Sequence, residues 1–195
     1  MSRLSLFLSV LVGFAPLLSA EPGPRDRAEL IDSFHGVSGN TAVNQAAGNG
    51  HQQANVRMIT LGTRSGASLT IEQSPGALGT LPENLDASAL IQGQSFVQSS
   101  GVTGINQTAG IANQSLNVFR MALGSAPESV TDSVLSQSTS AATPAASFGV
   151  AEGERIVDIS DTAFVGSRGV VQLNQSAGVG NRTTNSLSIR VADRP

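Results

Sequence analysis

The sequence predicts an all-β chain whose three strand-turn-strand repeats form a stacked sheet or a β-solenoid-like array. Three observations predict it: an ungapped internal repeat, a two-residue alternation after each repeat's turn, and a shortage of bulky core residues. The copies span 34–61 (FHGVSGNTAVNQAAGNGHQQANVRMITL), 96–123 (FVQSSGVTGINQTAGIANQSLNVFRMAL) and 164–191 (FVGSRGVVQLNQSAGVGNRTTNSLSIRV). Self-similarity at this scale is the mark of an array whose units bury one another.

Each copy opens on an anchoring Phe: Phe34, Phe96 and Phe164. Gly39, Gly101 and Gly169 follow, then the aliphatic Val43, Ile105 and Leu173. The amide pair comes next, as Asn44-Gln45, Asn106-Gln107 and Asn174-Gln175. Ala47, Ala109 and Ala177 precede the turn glycines Gly48, Gly110 and Gly178, and Asn55, Asn117 and Asn185 lie in the second arm. His51 stands where the other copies carry Asn113 and Asn181.

Ala-Gly-x-x-Asn predicts a turn, because Gly and Asn accept positive φ at low cost. Beyond it, Asn117, Phe119, Met121 and Leu123 fall on one face, and Val118, Arg120 and Ala122 on the other. Asn185, Leu187, Ile189 and Val191 alternate in the same way with Ser186, Ser188 and Arg190. A period of two predicts a half-buried strand. The first copy is less regular, with Arg57 where Phe119 and Leu187 stand.

Outside the repeats, residues 1–20 have the layout of a secretory signal peptide: Arg3, the apolar run from Leu4 to Leu18, and the small pair Ser19-Ala20. That signal helix is shorter than a membrane span of about 20 apolar residues. The expected organisation continues with a lead-in at 21–33, linkers at 62–95 and 124–163, and a tail at 192–195. Within the lead-in, 27–33 is compatible with a helical turn or a strand. The linkers are rich in Gly, Pro, Ser and Ala and are expected to be mobile loops. Two pieces inside them, 69–73 and 134–137, echo the apolar-x-Gln of the repeat and are candidate extra strands.

Composition narrows the chemistry. The chain has no Trp, Tyr or Cys and seven Phe in 195 residues, so few large side chains can close a core, and disulfides and thiolate metal sites are excluded. All eleven basic residues are Arg and the formal charge is −3, which leaves no basic patch for nucleic acid. No second segment is apolar enough to cross a membrane as a helix once the signal is removed. His35 and His51 are the two histidines, no Gly-x-Ser-x-Gly elbow occurs, and the carboxylates form no calcium loop. No catalytic, cofactor-binding or metal-ligating residue is expected, and an enzyme is not.

Amides at fixed offsets from a glycine turn fit stacking. Equivalent Asn or Gln side chains about 4.8 Å apart donate and accept along the stack as a ladder, which satisfies groups that are costly to bury unpaired. Asn44 and Gln45 point to opposite faces of a strand, yet both recur, which favours stacking over the polar outer face of an ordinary antiparallel sheet. The candidate ladder residues are therefore Asn44, Gln45, Asn55, Asn106, Gln107, Asn117, Asn174, Gln175 and Asn185. With four residues after the third copy, no capping element is expected there, and open edges favour self-association.

The stretch 39–55, GNTAVNQAAGNGHQQAN, resembles the repeat of the Fap functional-amyloid proteins and is more distantly similar to curlin repeats. The resemblance implies export from a Gram-negative cell to the periplasm or an extracellular fibre, a place in the biofilm matrix, and fibre subunits of the same secretion system as partners. Fibre subunits of that family carry a Cys-x-Cys near the C-terminus, which this chain lacks. Arg57, Arg120, Arg182 and Arg190 also fall inside the repeats. Three roles therefore stay open: fibre subunit or nucleator, periplasmic chaperone-like accessory, and non-polymerising surface adhesin.

Overall fold

A computed structural model describes residues 25–62, 71–73, 82, 84–124, 135–136 and 152–192. The expected signal helix lies outside the described residues, as does most of the low-complexity stretch at 125–147. The chain is all-β. Its strands are β1 (Arg25–Ile31), β2 (Ser38–Asn49), β3 (Gln52–Leu61), β4 (Ile71–Glu72), β5 (Asp86–Gln92), β6 (Ser100–Ile111), β7 (Gln114–Gly124), β8 (Leu135–Ser136), β9 (Arg155–Ile159), β10 (Arg168–Val179) and β11 (Arg182–Ala192).

Nine of these strands form three parallel sheets of three, in the orders β1-β5-β9, β10-β6-β2 and β11-β7-β3. Every pairing joins equivalent repeat positions: Asn44, Asn106 and Asn174 are register partners, as are Asn55, Asn117 and Asn185. Repeat two lies between repeats one and three in all three sheets. The two arms of a repeat belong to different sheets, so the turn at Gly50 closes an arch in which side chains face each other. A hairpin would have joined β2 to β3 through the backbone.

The turns stack as faithfully as the strands. Ala112 N–H donates to Asn49 O at 2.8 Å, and Gly180 N–H donates to Ile111 O at 2.9 Å. At the other corner, Phe96 N–H donates to Ser33 O and Phe164 N–H to Ser95 O, at 2.7 and 2.9 Å. Backbone polar groups thus find partners in the neighbouring rung even where no strand runs.

Each rung has three layers. The β1-β5-β9 sheet packs on one face of the β2-β6-β10 sheet, and the β3-β7-β11 sheet packs on the other. Between the first two, Leu30, Ile91, Val43, Ile105 and Phe96 form an apolar cluster against Leu173 and Phe164. Toward the turn glycines the filling becomes Ala28, Ala87, Ala89 and Ala109 beside Ala47 and Ala177. Methyl-sized side chains let the two sheets approach closely there.

The regions 62–95 and 124–163 were expected as mobile linkers, yet each contains a main strand of the first sheet. β5 pairs with β1 on one side and β9 on the other, so 27–31 is strand and not a helical turn. Their alternation is short, and their common feature is register, with little identity: Asp26, Ala87 and Arg155 occupy one position. The two candidate extra strands also pair, Ile71 with Leu135 and Glu72 with Ser136.

Candidate functional site

The site is a set of side-chain columns that run through all three rungs, together with the edges where they stop. In the middle sheet, Asn106 Nδ2 donates to Asn44 Oδ1 at 2.9 Å and Asn174 Nδ2 donates to Asn106 Oδ1 at 3.0 Å. In the facing sheet, Asn117 Nδ2 donates to Asn55 Oδ1 at 2.9 Å and Asn185 Nδ2 to Asn117 Oδ1 at 3.2 Å. The two columns meet inside each rung. Asn55 donates to Asn44, Asn117 to Asn106 and Asn185 to Asn174, at 2.8, 3.0 and 2.8 Å.

The same amides pin the backbone. Asn55, Asn117 and Asn185 each donate across the arch to the carbonyls of Val43, Ile105 and Leu173. Asn106 and Asn117 are fully buried, which is tolerable only because their donors and acceptors are engaged.

The Gln column uses the opposite face. Gln107 Nε2 donates to Gln45 Oε1 at 2.8 Å, and Gln175 Nε2 to Gln107 Oε1 at 2.7 Å. Each Gln also reaches into the first sheet: Gln45 to Glu29 O, Gln107 to Leu90 O and Gln175 to Asp158 O. Those three carbonyls share a register position. The Asn-Gln pair therefore fastens the central strand to a sheet on each side.

The Phe anchors form a third column. Phe34 and Phe96 stack with centroids 4.9 Å apart, and Phe96 and Phe164 with centroids 5.1 Å apart. All three adopt positive φ, at 62°, 60° and 62°. This left-handed backbone costs an L-residue roughly 1–2 kcal/mol; ring stacking opposes that cost, most fully at the buried Phe96 between its two neighbours.

Gly48, Gly110 and Gly178, expected as turn residues, lie instead in the last turn-ward residues of β2, β6 and β10, with φ of 104°, 110° and 124°. A Cβ on Gly110 would overlap the carbonyl of Gly178, and one on Gly48 would overlap that of Gly110. Two reasons thus require glycine here, the dihedral and the close approach of the next rung.

Further columns had not been singled out as site residues. Asn113 and Asn181 donate to Ala109 O and Ala177 O at 2.9 and 3.1 Å, and His51 Nε2 meets Ala47 O at 2.9 Å. Asn113 N–H donates to His51 Nδ1 at 3.2 Å, so His51 serves as a ladder member with Nε2 as donor and Nδ1 as acceptor. Gln114 donates to Gln52 at 3.0 Å, a column that Arg182 interrupts in repeat three. Recurrence of a polar residue three or four positions beyond Gly48, Gly110 and Gly178 was the available signal.

Arg57 extends into the arch and donates to Thr41 O. A Cβ on Gly104 would lie 2.6 Å from Arg57 Nη2, so the missing side chain at Gly104 makes the space that Arg57 occupies. Burial pushes the Arg57 guanidinium below its ordinary pKa. Arg120 is buried at 1% exposure, whereas Arg182 and Arg190 lie exposed on repeat three.

Both ends of the stack are open edges. Among the described residues, no strand pairs with the outer side of β1, β2 or β3, nor with that of β9, β10 or β11. Gln175 Oε1 is buried on the repeat-three edge without a hydrogen-bond partner.

No solved structure matches the chain. A family model does, that of the functional amyloid protein FapB/FapC family, over residues 17–192. The match spans nearly the whole chain, and the chain belongs to the functional amyloid protein FapB/FapC family.

Proposed function

We propose that this functional amyloid protein is an exported structural component of biofilm-matrix fibres, a minor subunit or nucleator, that elongates by stacking one copy's repeat-three edge on the next copy's repeat-one edge. The observation that carries this reading is the direction of the ladders. In the columns that begin at Asn44, Gln45 and Asn55 the later repeat donates its amide N–H to the side-chain oxygen of the earlier one. Continuing that pattern, Gln45 Nε2 of a second copy supplies the donor that Gln175 Oε1 lacks, and Asn44 Nδ2 adds a second donor to Asn174 Oδ1, which already accepts from Asn185. The Phe column is likewise extended by Phe34 against Phe164. Matching edges of this kind recruit further chains.

The test is quiescent incubation of residues 21–195, followed by dye fluorescence and fibre diffraction. Fibres with reflections near about 4.8 and 10 Å are expected. Substoichiometric seeding of another subunit of the same secretion system then separates nucleator from minor subunit. A monomeric solution that delays a partner subunit's assembly would replace this reading with a chaperone-like accessory role. A monomeric solution without that effect would favour a non-polymerising adhesin.

A further inference from the structure

The first sheet carries most of the charge at the two open edges, and its register arranges that charge asymmetrically. Asp26 pairs with Ala87, and Ala87 with Arg155, so one column holds an acid on repeat one, a methyl on repeat two and a base on repeat three. The preceding column holds Arg25, Asp86 and, one residue before Arg155, Glu154. Its order is base, acid, acid. Both columns change sign between the outer edges.

Asp26 and Arg155 also occupy equivalent places in their rungs. A Cβ built on Gly48 would lie 2.6 Å from Asp26 Oδ2, and one built on Gly178 would lie 3.0 Å from Arg155 Cδ and Nε. Gly48 and Gly178 are the same repeat position. Within one chain the two side chains are two rungs apart, about 9.6 Å at the usual strand spacing, with Ala87 between them. Adding a second copy in register places Arg155 one rung, about 4.8 Å, from that copy's Asp26.

We propose that the joint between stacked copies is keyed by charge: Glu154 and Arg155 on the repeat-three edge face Arg25 and Asp26 on the repeat-one edge of a second copy of this chain. The proposal rests on the stacking reading above and adds to it a determinant of register and partner choice. Amide columns alone recur at every repeat and would accept a copy in register with any repeat. The charged columns distinguish the ends.

One further pair of charges in the first sheet meets at this joint. Glu29 and Asp158 share a register position and are alike in sign. Arg27 Nε donates to Glu29 at 2.9 Å, so the Glu29 charge is already compensated within its own strand. Asp26 has less compensation: desolvation raises its carboxyl above the ordinary value, and His51 opposes this only in part. Arg25 reaches Asp86 at 3.6 Å while staying largely exposed, which leaves it open to a second acid. Edge pairs of this kind respond to salt, because screening sets in beyond a Debye length of about 10 Å at 0.1 M.

The test is seeded elongation of native chain and three variants, followed by dye fluorescence at about 20 mM and 500 mM salt, with circular dichroism of each soluble chain. Asp26→Arg and Arg155→Asp are each expected to elongate about fivefold more slowly at low salt and to converge on the native rate at high salt. The double variant Asp26→Arg/Arg155→Asp restores an opposite-charge joint and is expected to elongate within about twofold of native. Recovery in the double variant distinguishes the keyed joint from simple misfolding of a single variant. Native fibres whose single variants elongate at the native rate would overturn the joint alone, as would a folded double variant no faster than the singles. A native chain that forms no fibres would overturn the stacking reading and the joint with it.

Discussion

Asn117 Nδ2 lies 3.0 Å from Asn106 Oδ1, and this bond ties the amide column of β7 to that of β6 at the centre of the stack. Asn106 also donates to Asn44 and to Ala54 O, and accepts from Asn174. Replacing it leaves several buried groups without partners.

Asn106→Ala is therefore expected to destabilise the chain by about 2–4 kcal/mol, since each orphaned buried group costs roughly 1–3 kcal/mol. Asn44 is exposed at the repeat-one edge, and Asn44→Ala is expected to cost about 1 kcal/mol or less. Urea unfolding of the soluble chain measures both. Equal losses would mean that depth in the stack does not govern the ladder.

Two positive-φ positions should respond in opposite directions. Gly110→Ala forces a Cβ into the Gly178 carbonyl at a φ of 110°, and a loss of about 3 kcal/mol or more is expected. Gln98 adopts a φ of 55° where its counterparts Gly36 and Gly166 have 60° and 72°. It is exposed, so Gln98→Gly loses little packing and should gain about 0.5 kcal/mol from relief of the left-handed strain. Thermal melts of the two variants should shift apart from the native value.

Arg57 and Gly104 should be energetically coupled. Gly104→Ala alone crowds Arg57 Nη2 and Asn55 Oδ1 and is expected to destabilise. Arg57→Leu matches the Leu187 of repeat three, and Arg57 Nε is buried without a partner, so this change should be neutral or stabilising. In the double variant the Gly104→Ala penalty should fall by about 1 kcal/mol, a coupling typical of residues in contact. Additive effects would show that the two side chains do not share the space.

Asp26 should impose a pH dependence on the unassembled chain. Desolvation holds its carboxyl above the ordinary value of 3.8, so the folded state binds this proton more tightly than the unfolded state does. Its contribution is fully present below the unfolded value and is lost as pH rises from there through the raised one. Glu29 runs the other way, because Arg27 lowers its carboxyl and the resulting stability is lost as pH falls through the lowered value. The difference between native and Asp26→Asn stability curves isolates the first effect. It should decline with rising pH over that window and be flat if the Asp26 side chain is solvated.

The sequence by itself determined the all-β class, the three-copy repeat, and which residues would meet when copies are superposed, because gapless recurrence and parallel register express the same periodicity. The recurrence of Phe34, Phe96 and Phe164 was legible for that reason, whereas the bend itself falls two residues beyond Gly48, Gly110 and Gly178. Tertiary structure decided what the columns face. β1, β5 and β9 share a register but almost no identity, and their strand character comes from pairing with each other and from Gln side chains that hold their carbonyls. Likewise, Arg57 is accommodated because Gly104 lies across the arch, a neighbour 47 positions along the chain. Pattern along a chain carries the spacing of strands, whereas the partner of each face is set by which layers close upon one another.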